Sequence, residues 1–205
     1  MTLACEPATR ALKDVWYQKW LVHRRLRPEE FGGRVEVKRL GLANYPIHTD
    51  LLSVSTVLNH VLSINKTALL PMAFPEGSPN HTSYGSGHAT VAGACVTMLK
   101  ALFDDSQLIK NPVVPDPATN WQTLIPYAAP TGEPPLTVGG ELNKVVSNVS
   151  QGRNMAGVHW RSDAVESNLL GEAATISMLN DMKRTFSEPF SGFSFTKFDG
   201  TPVTV

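Results

Sequence analysis

Residues 84–103 read Tyr-Gly-Ser-Gly-His-Ala-Thr-Val-Ala-Gly-Ala-Cys-Val-Thr-Met-Leu-Lys-Ala-Leu-Phe. A loop rich in proline and glycine (Pro71, Pro75, Gly77, Pro79) leads into this stretch, which predicts a helix opening at Ser86-Gly87-His88 and running to about Phe103. Its early turns carry Ala89, Ala92, Gly93 and Ala94, side chains small enough to let another helix approach closely. The helix start offers unpaired backbone N–H groups, a partial positive charge, a serine hydroxyl and a histidine able to exchange a proton near neutral pH. That combination suits an oxyanion.

Outward from this stretch the pattern stays helical. Leu12, Val15, Trp16, Trp20, Leu21 and Val22 predict a helix over Thr9–Arg25, with Pro28 and Gly32-Gly33 closing it. Asp50 is the expected N-cap of a helix from Leu51 to about Ile64. Residues 111–135 hold seven prolines and predict a long irregular connection. Helices are expected over Gly140–Ser150 and Asp163–Lys183, and alternation around Asp199-Gly200 predicts a small C-terminal β-hairpin. The fold class is mainly α, a helical bundle with that hairpin.

Composition narrows the function classes. Of 205 residues, 42% are hydrophobic and 18% charged, as in an ordinary folded domain. Eighteen Lys+Arg balance eighteen Asp+Glu, so no chain-wide charge favours nucleic acid, and any anion site is local. No apolar run reaches the roughly 18 residues of a membrane span. Residues 1–7 lack the pattern of a signal peptide, so a soluble chain is expected and its compartment is open. Cys5 and Cys95 have no zinc-site spacing, and Cys95 reads as a core thiol.

Two further motifs carry charge. Lys19, His23, Arg24, Arg25 and Arg27 place five basic or potentially basic side chains within nine positions, with Lys19 and His23 on one helix face and Arg27 set to turn inward at Pro28. Gly152-Arg153-Asn-Met-Ala-Gly157-Val-His159-Trp160-Arg161-Ser162-Asp163 supplies an arginine for oxygen atoms, then a histidine, then an aspartate four residues on that can orient the imidazole. A solvated helix face and a surface salt bridge are the plainer readings of these two motifs.

Taken in order, Lys19…Arg27-Pro28, Ser86-Gly87-His88 and Arg153…His159…Asp163 resemble the signature of the vanadium-dependent haloperoxidases and the related type 2 phosphatidic acid phosphatases. The seven residues between Lys19 and Arg27, His81 seven positions before His88, and the Phe-Thr-Lys-Phe-Asp-Gly stretch are similar to the bromoperoxidases of red algae and their bacterial relatives. Two positions depart from the superfamily's usual pattern: Gly85 stands where proline precedes Ser-Gly-His, and Gly152 where serine precedes the last arginine.

The resemblance implies that residues 1–205 form the C-terminal, vanadate-binding helical domain of a longer haloperoxidase. It implies vanadate as cofactor, with Lys19, Arg27, Ser86, Gly87, His88 and Arg153 around its oxygens and His159 as the metal ligand. It implies His88, Lys19 and His81 as catalytic residues: His88 for acid–base work, Lys19 to polarise peroxide, and His81 near the halide, with Trp16 lining that pocket or packing in the core. Hydrogen peroxide, a halide and a small organic acceptor are the implied partners, and a homo-oligomer the implied full-length form. The same residues suit phosphoryl transfer, with His159 as nucleophile, so the alternatives are a phosphatase of phosphomonoesters and a fragment that binds an anion without turnover.

Overall fold

The computed structural model describes residues 2–73 and 76–205; Pro75 of the proline-rich loop lies outside them. Helix α5 (Gly87–Leu102) is the centre of the molecule. Ser86 caps it by accepting from the Ala89 amide, and α1 (Thr2–Tyr17), α6 (Val138–Met155) and α7 (Arg161–Lys183) pack around it. The α5–α7 contact is backbone-close: a Cβ on Gly171 would stand 2.1 Å from the Thr90 carbonyl oxygen, so any larger residue would force the helices apart.

Apolar burial falls in two clusters. Met98, Met178, Leu179, Phe195 and Val205 join α5 and α7 to the C-terminal hairpin, β3 (Ser194–Thr196) paired antiparallel with β4 (Pro202–Thr204). Val35, Ile47, Leu58 and Ala68 form the other, beneath α2 (Pro28–Arg39), α3 (Thr49–Ser53) and α4 (Thr56–Asn65). The α5 helix, the mainly α class and the terminal hairpin match the reading of the sequence.

Four boundaries differ from it. The first helix starts at Thr2, carries Pro7, and passes at Gln18–His23 into a π-helical turn. That turn changes the angular spacing, so Lys19 is fully buried while His23 is exposed, and the two do not share a face. Pro28 opens a helix instead of ending one: at its N-terminal position the missing N–H costs nothing. The 51–64 stretch is broken into α3 and α4, with His48 and not Asp50 as the first N-cap, and Ser55 restarting the chain. Finally, the connection after α5 contains a short hairpin, β1 (Val113–Pro115) with β2 (Leu124–Pro126); prolines at strand ends are compatible with so short a ladder. Cys95 is half-buried, its thiol donating to the Ala4 carbonyl.

No helix among the described residues is long and apolar enough to cross a membrane.

Candidate active site

The three motifs meet at one end of the bundle, and the strap His81–Ser83 ties them together. Lys19 Nζ donates to the carbonyl oxygens of Thr82 and Ser83 at 2.5 and 3.1 Å, and Thr82 Oγ1 donates back to the Lys19 carbonyl. Arg27 Nε donates to the His81 carbonyl at 2.7 Å, and its Nη1 to the Val158 carbonyl at 2.8 Å. The π-helical turn delivers Lys19 to this point, and the start of α2 delivers Arg27. Both side chains are fully buried.

His159 stands one residue beyond Val158 and is 5% exposed. Its Nδ1 lies 3.0 Å from Asp163 Oδ2 and its Nε2 3.3 Å from Arg27 Nη1. A guanidinium only donates and a carboxylate only accepts, so the imidazole carries its proton on Nδ1 and presents the Nε2 lone pair. Asp163 is fully buried, which excludes the surface-salt-bridge reading; its Oδ2 also accepts from Ser83 Oγ and the Trp160 amide, and its Oδ1 from Arg25 Nη1 at 3.1 Å. Burial alone would raise the Asp163 pKa, but the hydrogen bonds from His159, Ser83 and Trp160 outweigh it and hold the carboxyl below its usual range.

The remaining expected residues border the same space. Arg27 Nη2 lies 3.3 Å from His81 Nδ1, and the His81 ring packs on Trp16 with centroids 5.1 Å apart. Trp16 is thus at the site, half-exposed, and not in the core. Burial, with the positive field of Lys19 and Arg27, lowers His81 to about 4, so it is neutral at physiological pH. Ser86 is buried with its amide donating to Ser167 Oγ at 2.7 Å. Gly85 is held firmly: a Cβ there would stand 2.5 Å from Ser167 Oγ, so the glycine permits this close seat. His88, on the first turn of α5, is exposed at its edge; loss of water and the charges of Arg153 and Arg27 lower its pKa. Arg153 sits in the last turn of α6, and its Nε is buried with no hydrogen-bond partner among the described residues.

The electrostatics are those of an anion site. Lys19 is lowered to about 7 by burial and by Arg27, with Asp163 opposing. The carboxylates that act on these cations are already committed, Asp163 as above and Glu30 to the Arg27 amide at 2.9 Å. Three cations, an imidazole lone pair that faces Arg27 and a helix start therefore converge with their carboxylates already committed, and Arg153 Nε is a buried donor with no acceptor among the described residues. Such a donor set fits a tetrahedral oxyanion of vanadate or phosphate type.

A family profile described as the VCPO second helical-bundle domain matches residues 59–188. The chain belongs to the vanadium-dependent haloperoxidase family. It is 43% identical to vanadium-dependent bromoperoxidases of Corallina pilulifera and Corallina officinalis over its whole length, and 40% identical to that of Ascophyllum nodosum over 96% of it. It spans 36% of the length of each of these relatives and corresponds to the C-terminal portion of a haloperoxidase. The fold superposes with a TM-score of 0.80 and 33% identity on the homohexameric second vanadate-dependent bromoperoxidase of Ascophyllum nodosum, covering 98% of this chain and 39% of that one.

The motifs do not single out Thr82, Ser83 or Ser167, and they include Arg25 only as part of the basic run. Ser167 lies four residues after Asp163, hence on the same helical face, and that spacing is a usable signal. Thr82 and Ser83 act largely through backbone carbonyls, which leave no signal in residue type.

Proposed function

We propose that this chain forms the vanadate-holding part of a haloperoxidase that oxidises bromide with hydrogen peroxide to a hypobromous acid equivalent, which then halogenates organic acceptors. The observation that carries the reading is the His159 imidazole, its Nδ1–H fixed by buried Asp163 and its Nε2 lone pair turned toward Arg27. Vanadate, when bound, supplies Lewis acidity without a change of oxidation state. His159 Nε2 would be its protein ligand, and Lys19, Arg27, Arg153, Ser86 and the Gly87 amide would hold the oxygens by charge-assisted hydrogen bonds.

The protein's own groups then divide the work. Lys19, buried and poised near pH 7, gives its charge to the oxygen that must become electrophilic. His88, partly open to water, would accept a proton from incoming hydrogen peroxide and pass it to the oxygen that departs as water. His81, neutral and stacked on Trp16, borders the approach of halide. Assembly into a homo-oligomer belongs to the same reading, in keeping with the homohexameric relative.

The test is reconstitution with vanadate, followed by bromination of a phenolic dye with peroxide and bromide, beside hydrolysis of p-nitrophenyl phosphate. Bromination dependent on vanadate supports the reading. Phosphate hydrolysis without bromination replaces it by the phosphatase alternative.

A further inference from the structure

Arg25 has no part in the cradle itself, yet its contacts are specific. Its Nη1 donates to Asp163 Oδ1 at 3.1 Å and to Ser162 Oγ at 2.7 Å. Its guanidinium carbon lies 5.4 Å from the Trp160 ring centroid and 6.0 Å from that of Tyr84, so two aromatic rings flank the planar group. Its carbonyl accepts from the Ser83 amide at 2.9 Å, and Ser83 Oγ in turn donates to Asp163 Oδ2. The Asp163 carboxylate is thereby held from both oxygens: Oδ1 by Arg25, and Oδ2 by Ser83, the Trp160 amide and His159. An exposed surface pair of the usual kind would contribute little, but here one partner is completely buried while the other is 43% exposed and clamped by its neighbours.

We infer that Arg25, with Ser83, is a positioning residue that acts through Asp163 to fix the ring orientation and tautomer of His159. This deepens the vanadate reading and rests on it for the identity of the ligand, though not for the geometry of the imidazole. A carboxylate pinned at both oxygens cannot rotate, so the plane in which it accepts from Nδ1–H is set. The direction of the Nε2 lone pair is set with it. Contacts that orient a metal-binding histidine in this way typically govern affinity by about 10- to 100-fold.

The argument separates two anions. Phosphate in the cradle depends on the cations alone, whereas vanadate also needs a correctly aimed Nε2. In Arg25→Met, which keeps the length and apolar stem but donates nothing, the Kd for orthovanadate by equilibrium dialysis of the 205-residue chain should rise about 10- to 100-fold. The Kd for inorganic phosphate should stay within about threefold, because a partly exposed charge outside the cradle is screened by salt. Ser83→Ala should move the vanadate-to-phosphate ratio in the same direction, and Arg25→Lys should recover part of the loss. Independently of any anion, long-range 1H–15N spectra of the apo-protein should show His159 as the Nδ1–H tautomer, and a mixture in Arg25→Met.

An unchanged anion ratio and an unchanged His159 tautomer in both Arg25→Met and Ser83→Ala would overturn the inference and leave Arg25 a rim contact. If Arg25→Met does not fold, Ser83→Ala and Arg25→Lys decide by the same two measurements. If the unsubstituted chain binds vanadate no better than phosphate, the vanadate reading fails, and the His159 spectra still decide whether Arg25 positions the ring.

Discussion

Two lysines are fully buried in this molecule, and their surroundings are opposite. Lys100, on α5 beneath the C-terminal hairpin, has counter-charges inside the fold: burial lowers its pKa while Glu172 and Asp105 oppose the shift, Asn143 Oδ1 accepts from it at 3.3 Å, and the Phe198 ring lies 4.8 Å away. Glu172 also accepts from the Phe198 amide at 2.7 Å, closing a self-contained set. Lys19 is buried as deeply, but beside Arg27 and with backbone carbonyls for partners. One lysine has two carboxylates and an amide oxygen acting on it; the other has carbonyl oxygens, a second cation beside it and only the already committed Asp163 to oppose that cation. The lesson is that burial of a charge identifies a site when the compensation is missing.

The sharpest way to break this contrast is to remove the imidazole. His159→Ala should weaken vanadate binding by more than ~100-fold and abolish bromination, while phosphate affinity changes much less, because the cations remain. His88→Ala should instead keep vanadate within about tenfold and lose ~100-fold or more in turnover, as expected when acid–base transfer goes but the ligand stays. Dialysis and steady-state kinetics on both variants separate the two roles. Full bromination by His159→Ala would sink the ligand assignment.

The lysines themselves give the next largest difference. Lys100→Met removes one of the two lysines whose charge acts on buried Glu172 and takes away the donor to Asn143 Oδ1, so the chain should lose about 2 kcal/mol, or roughly 4–8 °C in Tm, with anion binding intact. Lys19→Met should do the reverse: a Tm equal to or above that of the unsubstituted apo-protein, and phosphate binding at pH 6.5 weakened by about tenfold or more. Thermal melts with and without phosphate read both effects. Loss of stability in Lys19→Met equal to that in Lys100→Met would erase the distinction.

Titration offers a gentler version of the same test. Lys19 has a pKa of about 7 in the fold against 10.5 when unfolded, so the unfolded chain binds more protons between those values. Apo stability should therefore gain from this group as pH rises from about 7 toward 10.5. Phosphate affinity should fall over the same range by up to tenfold per pH unit. Subtracting the profile of Lys19→Met removes the titration of the anion itself. A pH-independent difference between the two proteins would show that Lys19 stays charged throughout.

How much of this could be read in the sequence follows from what each feature depends on. The α5 stretch, with its cap serine and small residues, and the two charged motifs are local patterns, legible in residue type and spacing. The spacing of Asp163 four residues after His159 points to the contact that orients the imidazole, and the fold makes that contact at 3.0 Å. By contrast, the π-helical turn at Gln18–His23 changes which residues share a face, and no periodicity announced it. The break at Val54 between α3 and α4, and the role of Pro28 as a helix start, turned on capping chosen by tertiary packing. The strap at His81–Ser83 holds Lys19 and Arg27 by main-chain oxygens, which any sequence possesses.

The smallest expected effect concerns Phe198, whose ring faces Lys100 from the hairpin. Phe198→Leu keeps an apolar side chain of similar reach and leaves the backbone amide free to donate to Glu172, so the change isolates the ring's attraction for the ammonium. A desolvated cation–π contact is worth about 1–2 kcal/mol. Part of that is recovered as leucine packs, and a drop of roughly 2–4 °C in Tm is expected, near 1 kcal/mol for a chain of this length. Vanadate and phosphate binding should not change, because nothing in the Lys100 set reaches the cradle. If Phe198→Leu weakens anion binding as Lys19→Met does, the two buried lysines are energetically linked along α5, and the division between a structural charge and a binding charge does not hold.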